Sequence, residues 1–134
     1  MNKDKKQIVD AENRITGIHH ASVQVSDLAA CTLFYEHLLG LTPCERPGKP
    51  FDGRWYQAGG QQIHLIVSAN SGTEAAADDY PGTQRHVALA VNDLETLQAR
   101  LQAAGVSCTP SRSGRPVVFC KDPDGNVFEL IGAG

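Results

Sequence analysis

Hydrophobic and polar positions alternate along HASVQVSDL (20–28), and nearly the same nine letters return as HVALAVNDL (86–94), at an offset of 66 residues. Alternation of this kind marks a half-buried strand, because successive side chains point to opposite faces. After each copy the period becomes helical. Leu28, Cys31, Tyr35, Leu38 and Leu39 recur at turn spacing in LAACTLFYEHLLG (28–40), and Leu94, Leu97, Leu101 and Ala104 in LETLQARLQAAG (94–105). Asp27 and Asp93, or Ser26 and Asn92 before them, are natural N-caps, and Gly40 and Gly105 natural stops. Strand-like segments follow in matching order: LTPCE, RWYQAG and QQIHLIV in the first half, VSCTP, PVVFC and NVFELI in the second. DPDGN (122–126) reads as a tight turn in which Gly125 supplies positive φ. IHLI (63–66) matches FELI (128–131) at an offset of 65, one less than before because the second helix is one residue shorter between cap and stop. The unit is therefore βαβββ, written twice, which makes the chain α+β.

This periodicity predicts a polar tail over 1–15 and one domain over 16–132, with module 1 at about 16–68, a Ser/Gly/Ala/Asp-rich connection over 69–84 and module 2 at about 85–132. Composition narrows the partners. A net charge of −3 leaves no basic surface for nucleic acid, and no apolar run approaches the roughly 18 residues that span a bilayer. Four cysteines lie far apart with no C-x-x-C pair, and the polar N-terminus has no signal-like stretch, so reduced thiols and a cytoplasmic location are expected.

Alternation also assigns faces. Ala21, Val23 and Val25, like Val87, Leu89 and Val91, belong under the helices, which need a sheet on which to bury their stripes. His20 and His86 then point to the helix-free face. In the closing strands His64 opposes Ile63 and Leu65, and Glu129 opposes Phe128 and Leu130. Four residues of metal-ligand type thus fall at repeat-equivalent positions on the uncovered face. One strand histidine alone is most often a satisfied polar residue; the repeat makes these placements mutually dependent. His19 and His37 fail the test, the first lying on the helix side or edge of its strand and the second among polar helix neighbours.

The stretches GIHHASVQVSDL with FYEHLLGL, RHVALAVNDL and FCKDPDGNVFEL resemble the vicinal oxygen chelate superfamily. It includes glyoxalase I, fosfomycin-resistance enzymes, methylmalonyl-CoA epimerase, extradiol dioxygenases and metal-free bleomycin-binding proteins. The resemblance implies two βαβββ modules forming a curved mixed β-sheet cleft, helices on the outer face, and a metal held by His20, His64, His86 and Glu129. It departs from glyoxalase I at position 64, where that enzyme usually has Glu. It also implies a homodimer, since modules of small members often pair across subunits.

Three imidazoles and a carboxylate suit a borderline divalent ion (Zn²⁺, Ni²⁺, Fe²⁺, Co²⁺ or Mn²⁺). Six-coordination would leave two adjacent positions for a small-molecule substrate with neighbouring oxygens, with the ion acting as Lewis acid. Glu129 is then the expected base, because position 64 is a histidine. Arg54, Arg85, Arg112 and Arg115 each read most simply as exposed arginines; as a guanidinium for an anionic substrate group the candidate is Arg115, next to Pro116 at the start of a strand. Trp55 and Tyr56 open a strand, so one faces the cleft and can pack on substrate while the other is core. The leading expectation is a glyoxalase-type lyase or isomerase. An Fe(II) ring-cleaving dioxygenase and a fosfomycin-type thiol transferase normally use three protein ligands. A non-catalytic antibiotic-binding protein stands as the alternative of another class.

Overall fold

In a computed structural model the described residues are 12–48, 52–71 and 80–133. Most of the N-terminal tail and residues 72–79 of the connection lie outside them. Strands β1 (His20–Val25), β2 (Thr42–Cys44), β3 (Gly53–Ala58) and β4 (Gln61–Val67) form one sheet in the order β1-β4-β3-β2. Strands β5 (His86–Val91), β6 (Thr109–Pro110), β7 (Val117–Lys121) and β8 (Val127–Gly132) form a second in the equivalent order β5-β8-β7-β6. β1 runs parallel to β4 and β5 parallel to β8, the remaining pairs being antiparallel, so the doubled unit expected from the repeat is present. Parallel neighbours need a crossover, and each helix supplies the first part of one.

The two crossovers differ. Helix α2 (Leu94–Ala103) is regular, capped by Asp93, whose carboxylate accepts from Thr96 N at 3.1 Å, and buries Leu97 and Leu101. Ala104 falls at its C-cap and is exposed rather than packed. The first crossover begins as α1 (Leu28–Cys31), with Asp27 accepting from Ala29 N, and continues over Thr32–Leu38 in wider π-helical turns. Leu39 N reaches back five residues to Phe34 O at 2.9 Å. Cys31, Phe34, Tyr35 and Leu38 are all buried, and Phe34 adds to the stripe at ordinary i, i+3, i+4, i+7 spacing. Gly40 (φ 74°) and Gly105 (φ 85°) stop the two segments, and Gly125 (φ 89°) closes the DPDGN turn by donating to Asp122 O at 3.0 Å.

A shared core joins the modules. Val25, Tyr35, Tyr56 and Leu65 of the first pack in one apolar cluster with Leu101, Cys120, Phe128 and Leu130 of the second. Tyr35 and Phe128 meet edge to face at 5.7 Å. Polar bonds cross the same boundary: Tyr35 OH donates to Asp122 Oδ2 (2.5 Å), Ser26 N to Asp124 Oδ2 (2.9 Å) and Asn126 Nδ2 to Gln24 O (2.8 Å). Burial pushes the Asp122 carboxyl up despite its hydrogen bonds from Asn126 and Tyr35. Asp124 goes the other way: burial would raise it, but bonds from Ser71 and Ser26 hold it below the usual carboxylate range. Arg54 is pinned on the helix side of its sheet, Nη1 donating to Thr32 Oγ1 at 2.6 Å, while Tyr56 OH donates to Glu36 Oε2 at 2.7 Å.

Candidate metal centre

The ladder fixes which side chains share a face. β1–β4 pairs Ser22 with His64 and β3–β4 pairs Trp55 with His64, so His20, Ser22, Trp55 and His64 lie on the face turned away from the core residues Ile63, Leu65 and Tyr56. The His20 and His64 rings stack at 3.9 Å between centroids, and Trp55 stacks on the other side of His64 at 4.0 Å and 2°. Sandwiched between two rings, His64 is only 5% exposed on a face expected to be open. Its Nε2 donates to Gln62 Oε1 at 2.8 Å. Trp55 and Tyr56 are thereby distinguished: Trp55 belongs to the candidate site, and Tyr56, fully buried under the first helix, to the core. Burial also drives the Tyr56 hydroxyl up to about 12.

Module 2 holds the other pair. β5–β8 pairs Ala88 with Glu129, and β7–β8 pairs Phe119 with Glu129. His86 Nε2 lies 3.1 Å from Glu129 Oε1. His86 Nδ1–H donates to Gln84 O at 2.8 Å, which turns the Nε2 lone pair toward the carboxylate. Two acceptors that face each other at this range need a proton or a cation between them, and an imidazole so held by its other nitrogen is a well-prepared metal ligand. The donor types therefore fit a divalent ion. This face is not bare either: Phe119 and Val127 are buried, Phe119 meeting Tyr80 and His86 edge-on at 5.7 Å each. The end of the connection contributes Tyr80 and the buried Pro81 to that cover.

The two pairs do not meet. Among the described residues no group of three or more His, Cys, Asp or Glu side chains is gathered closely enough to hold a metal ion. The reason is architectural: each pair lies on the face of its own sheet opposite the common core. Arg115 stands exposed ahead of β7, its carbonyl accepting from Val117 N at 2.7 Å. His19, set aside on alternation, comes close to the first pair, its Nδ1 lying 2.9 Å from His20 Nδ1. The Gln62 side chain, which orients His64, and the Gln84 main-chain carbonyl, which orients His86, are partners that residue spacing does not mark. A pocket of about 350 Å³ lined by His19, Gln57 and Gln62 adjoins the first pair. A larger cleft of about 710 Å³ runs between the first helix and β7 and is lined by none of the four candidates.

A doubled βαβββ protein with imidazoles and a carboxylate on its sheet faces is thus defined. Residues 17–130 match the Glyoxalase/Bleomycin resistance protein/Dioxygenase superfamily, and the chain belongs to it. An uncharacterised Pseudomonas aeruginosa protein is 32% identical over 122 residues, covering 83% of this chain and 84% of its own. The metallothiol transferase FosB of Bacillus licheniformis is 26% identical over 88% of this chain and 76% of its own, and a lactoylglutathione lyase of Salmonella typhimurium 25% identical over 85% and 90%. Among solved structures, a putative glyoxalase family protein from Bacillus anthracis superposes with a TM-score of 0.72 at 23% identity, covering 91% of this chain and 98% of that one. The fosfomycin resistance protein FosX of Listeria monocytogenes, complexed with Mn(II) and sulfate, gives 0.68 at 20% over 90% and 93%. No helix among the described residues is long and apolar enough to cross a membrane.

Proposed function

We propose that the chain is a metal-dependent lyase or isomerase of the glyoxalase type, acting on a small substrate with adjacent oxygens or on its thiol adduct. His20 and His64 of one chain, with His86 and Glu129 of a second copy, would hold one divalent ion. The observation that carries this reading is the division of the donors into two prepared pairs, on equivalent strands of two sheets that face away from their common core. β1 and β5, which begin with His20 and His86, are edge strands. A twofold-related copy can therefore set module 1 of one chain against module 2 of the other and form two equivalent sites. The ion, once bound, supplies Lewis-acid stabilisation of a developing oxyanion. Glu129 takes and returns the migrating proton at its carboxylate, with Phe119 limiting water around it. Trp55 holds the His64 ring plane, and Arg115 is the candidate guanidinium for an anionic substrate group.

The experiment is metal analysis and turnover of a methylglyoxal–thiol adduct by Glu129→Gln. We expect turnover to fall by about 100-fold or more, the size of a lost general base, with metal content nearly kept. Metal lost in step with turnover would reduce Glu129 to a ligand.

One observation favours a second reading. His64 is already held by Trp55, His20 and Gln62, and with His64 as a support rather than a ligand the set becomes His20, His86 and Glu129, the three-ligand arrangement of fosfomycin-type thiol transferases. His64→Ala separates the two. Loss of the ion supports the four-ligand lyase, and retention of the ion with thiol transfer to an epoxide supports the transferase.

A further inference from the structure

Four free thiols are present, Cys31, Cys44, Cys108 and Cys120, and two of them are brought opposite each other. The β6–β7 ladder pairs Thr109 with Phe119 and Pro110 with Val118. Counting one step further sets Cys108 across from Cys120. Ser111 N donates to Val117 O at 2.9 Å, so bonded and non-bonded pairs alternate from there. Pro110, which has no N–H to give, falls at a non-bonded position as it must. Cys108 and Cys120 fall at the next non-bonded position, where facing Cα atoms come within about 4.5 Å, inside the span a disulfide bridges. Both side chains are on the core side, Cys108 packing against the cluster that contains Cys120.

We propose that Cys108 and Cys120 form a cross-strand dithiol that a hydroperoxide converts to an intramolecular disulfide. Cys108 is the attacking group because it is half-buried whereas Cys120 is almost fully enclosed; burial raises both thiols, Cys120 up to about 12. The Cys108 thiolate attacks the terminal peroxide oxygen, the O–O bond breaks, and the departing alkoxide takes a proton and leaves as an alcohol. The resulting sulfenic acid is attacked at sulfur by Cys120. The S–O bond breaks, water leaves with the Cys120 proton, and the S–S bond forms. Two thiols lose two hydrogens, and the peroxide becomes alcohol and water. The peroxide reaches Cys108 from solvent at the sheet edge, where its side chain is half-buried; the cleft of about 710 Å³ is lined by Cys120 and not by Cys108. β6 is two residues long at a sheet edge, so local opening costs little. The new bond lands beside Phe119, the ladder partner of Glu129, but the proposal does not depend on a metal being bound there.

The test treats the purified full chain with equimolar hydrogen peroxide, blocks free thiols by alkylation and maps tryptic peptides. Cleavage after Arg112 separates the two cysteines. We expect a chain lighter by two hydrogens, a Cys108–Cys120 linked peptide that a reductant releases, alkylated Cys31 and Cys44, and a thermal midpoint about 5 °C higher because the unfolded chain is constrained. Cys108→Ser should abolish the link. Recovery of Cys108 and Cys120 as alkylated thiols, over-oxidation of Cys108 without a link, or a bridge to another cysteine would overturn the proposal; wild-type mapping alone decides it if the variant misfolds.

Discussion

Module 1 and module 2 share strand order and ladder directions, yet they use their outer faces differently. The first carries a stack of three rings, Trp55, His64 and His20, and reaches its sheet through π-helical turns. The second carries one imidazole beside a carboxylate, walled by Phe119, with a regular helix behind it. The core-facing halves of the repeat stay alike because both serve one packing problem. The outer halves diverge, and under the proposed function each would supply a different part of one chemistry. In the proposed centre the first module would bring borderline, aromatic-supported nitrogen donors, and the second the negative charge and the proton-handling group.

The largest effect that would break this picture is on the shared core. Phe128, fully buried and touching Phe34 and Tyr35, belongs to both modules. Phe128→Ala should cost about 3–5 kcal/mol and leave a single unfolding transition in denaturant. Two separated transitions would mean that the modules are independent. Next comes the bond between helix and turn. Tyr35→Phe deprives a buried carboxyl of a donor and should cost about 1–3 kcal/mol by the same measurement.

A smaller, pH-dependent effect distinguishes the two aspartates of the turn. The Asp124 carboxyl is depressed in the folded chain, so its contribution is present above the ordinary carboxylate range and is lost as pH falls through its lowered folded value. Asp122 is raised, so its protonated form favours the fold, and that contribution fades as pH rises through its raised value. Asp124→Asn should therefore cost about 1 kcal/mol at pH 7, discounted for its partial exposure. The cost should vanish toward acid, as read from denaturant midpoints across pH. A cost that is constant with pH would assign the effect to shape rather than charge.

The mildest change sharpens the contrast between the faces. Trp55→Leu should leave folding nearly intact and weaken metal binding about tenfold, as loss of a ligand's support does, in a chelator competition titration. An unchanged affinity would show that the ring stack only packs.

Much of the fold was legible because the same alternation and the same cap–stop pairs occur twice, and two anchors at offsets of 66 and 65 fix the period. Face assignment follows from strand parity, which is why His20, His64, His86 and Glu129 stand out in the sequence alone. Three features were not legible. The π-helical turns of the first crossover leave no mark in the spacing, because Cys31, Phe34, Tyr35 and Leu38 fall on one face of an ordinary α-helix as well. The burial of His64 depends on which of Trp55 and Tyr56 faces outward, and that turned on a register one residue wide. The separation of the two donor pairs follows from how the sheets share a core, which a pattern within each module cannot reveal.

The central claim, that each metal centre draws one pair from each of two chains, is tested most directly by mixing two inactive variants. His20→Ala/His64→Ala spoils module 1, and His86→Ala/Glu129→Gln spoils module 2. Each homodimer should bind no metal, whereas mixed dimers purified through two different tags should recover about one ion per dimer, half the wild-type content, because one of their two sites draws both its pairs from unaltered modules. Mixed dimers without metal, or a wild-type monomer that binds one ion per chain, would contradict it.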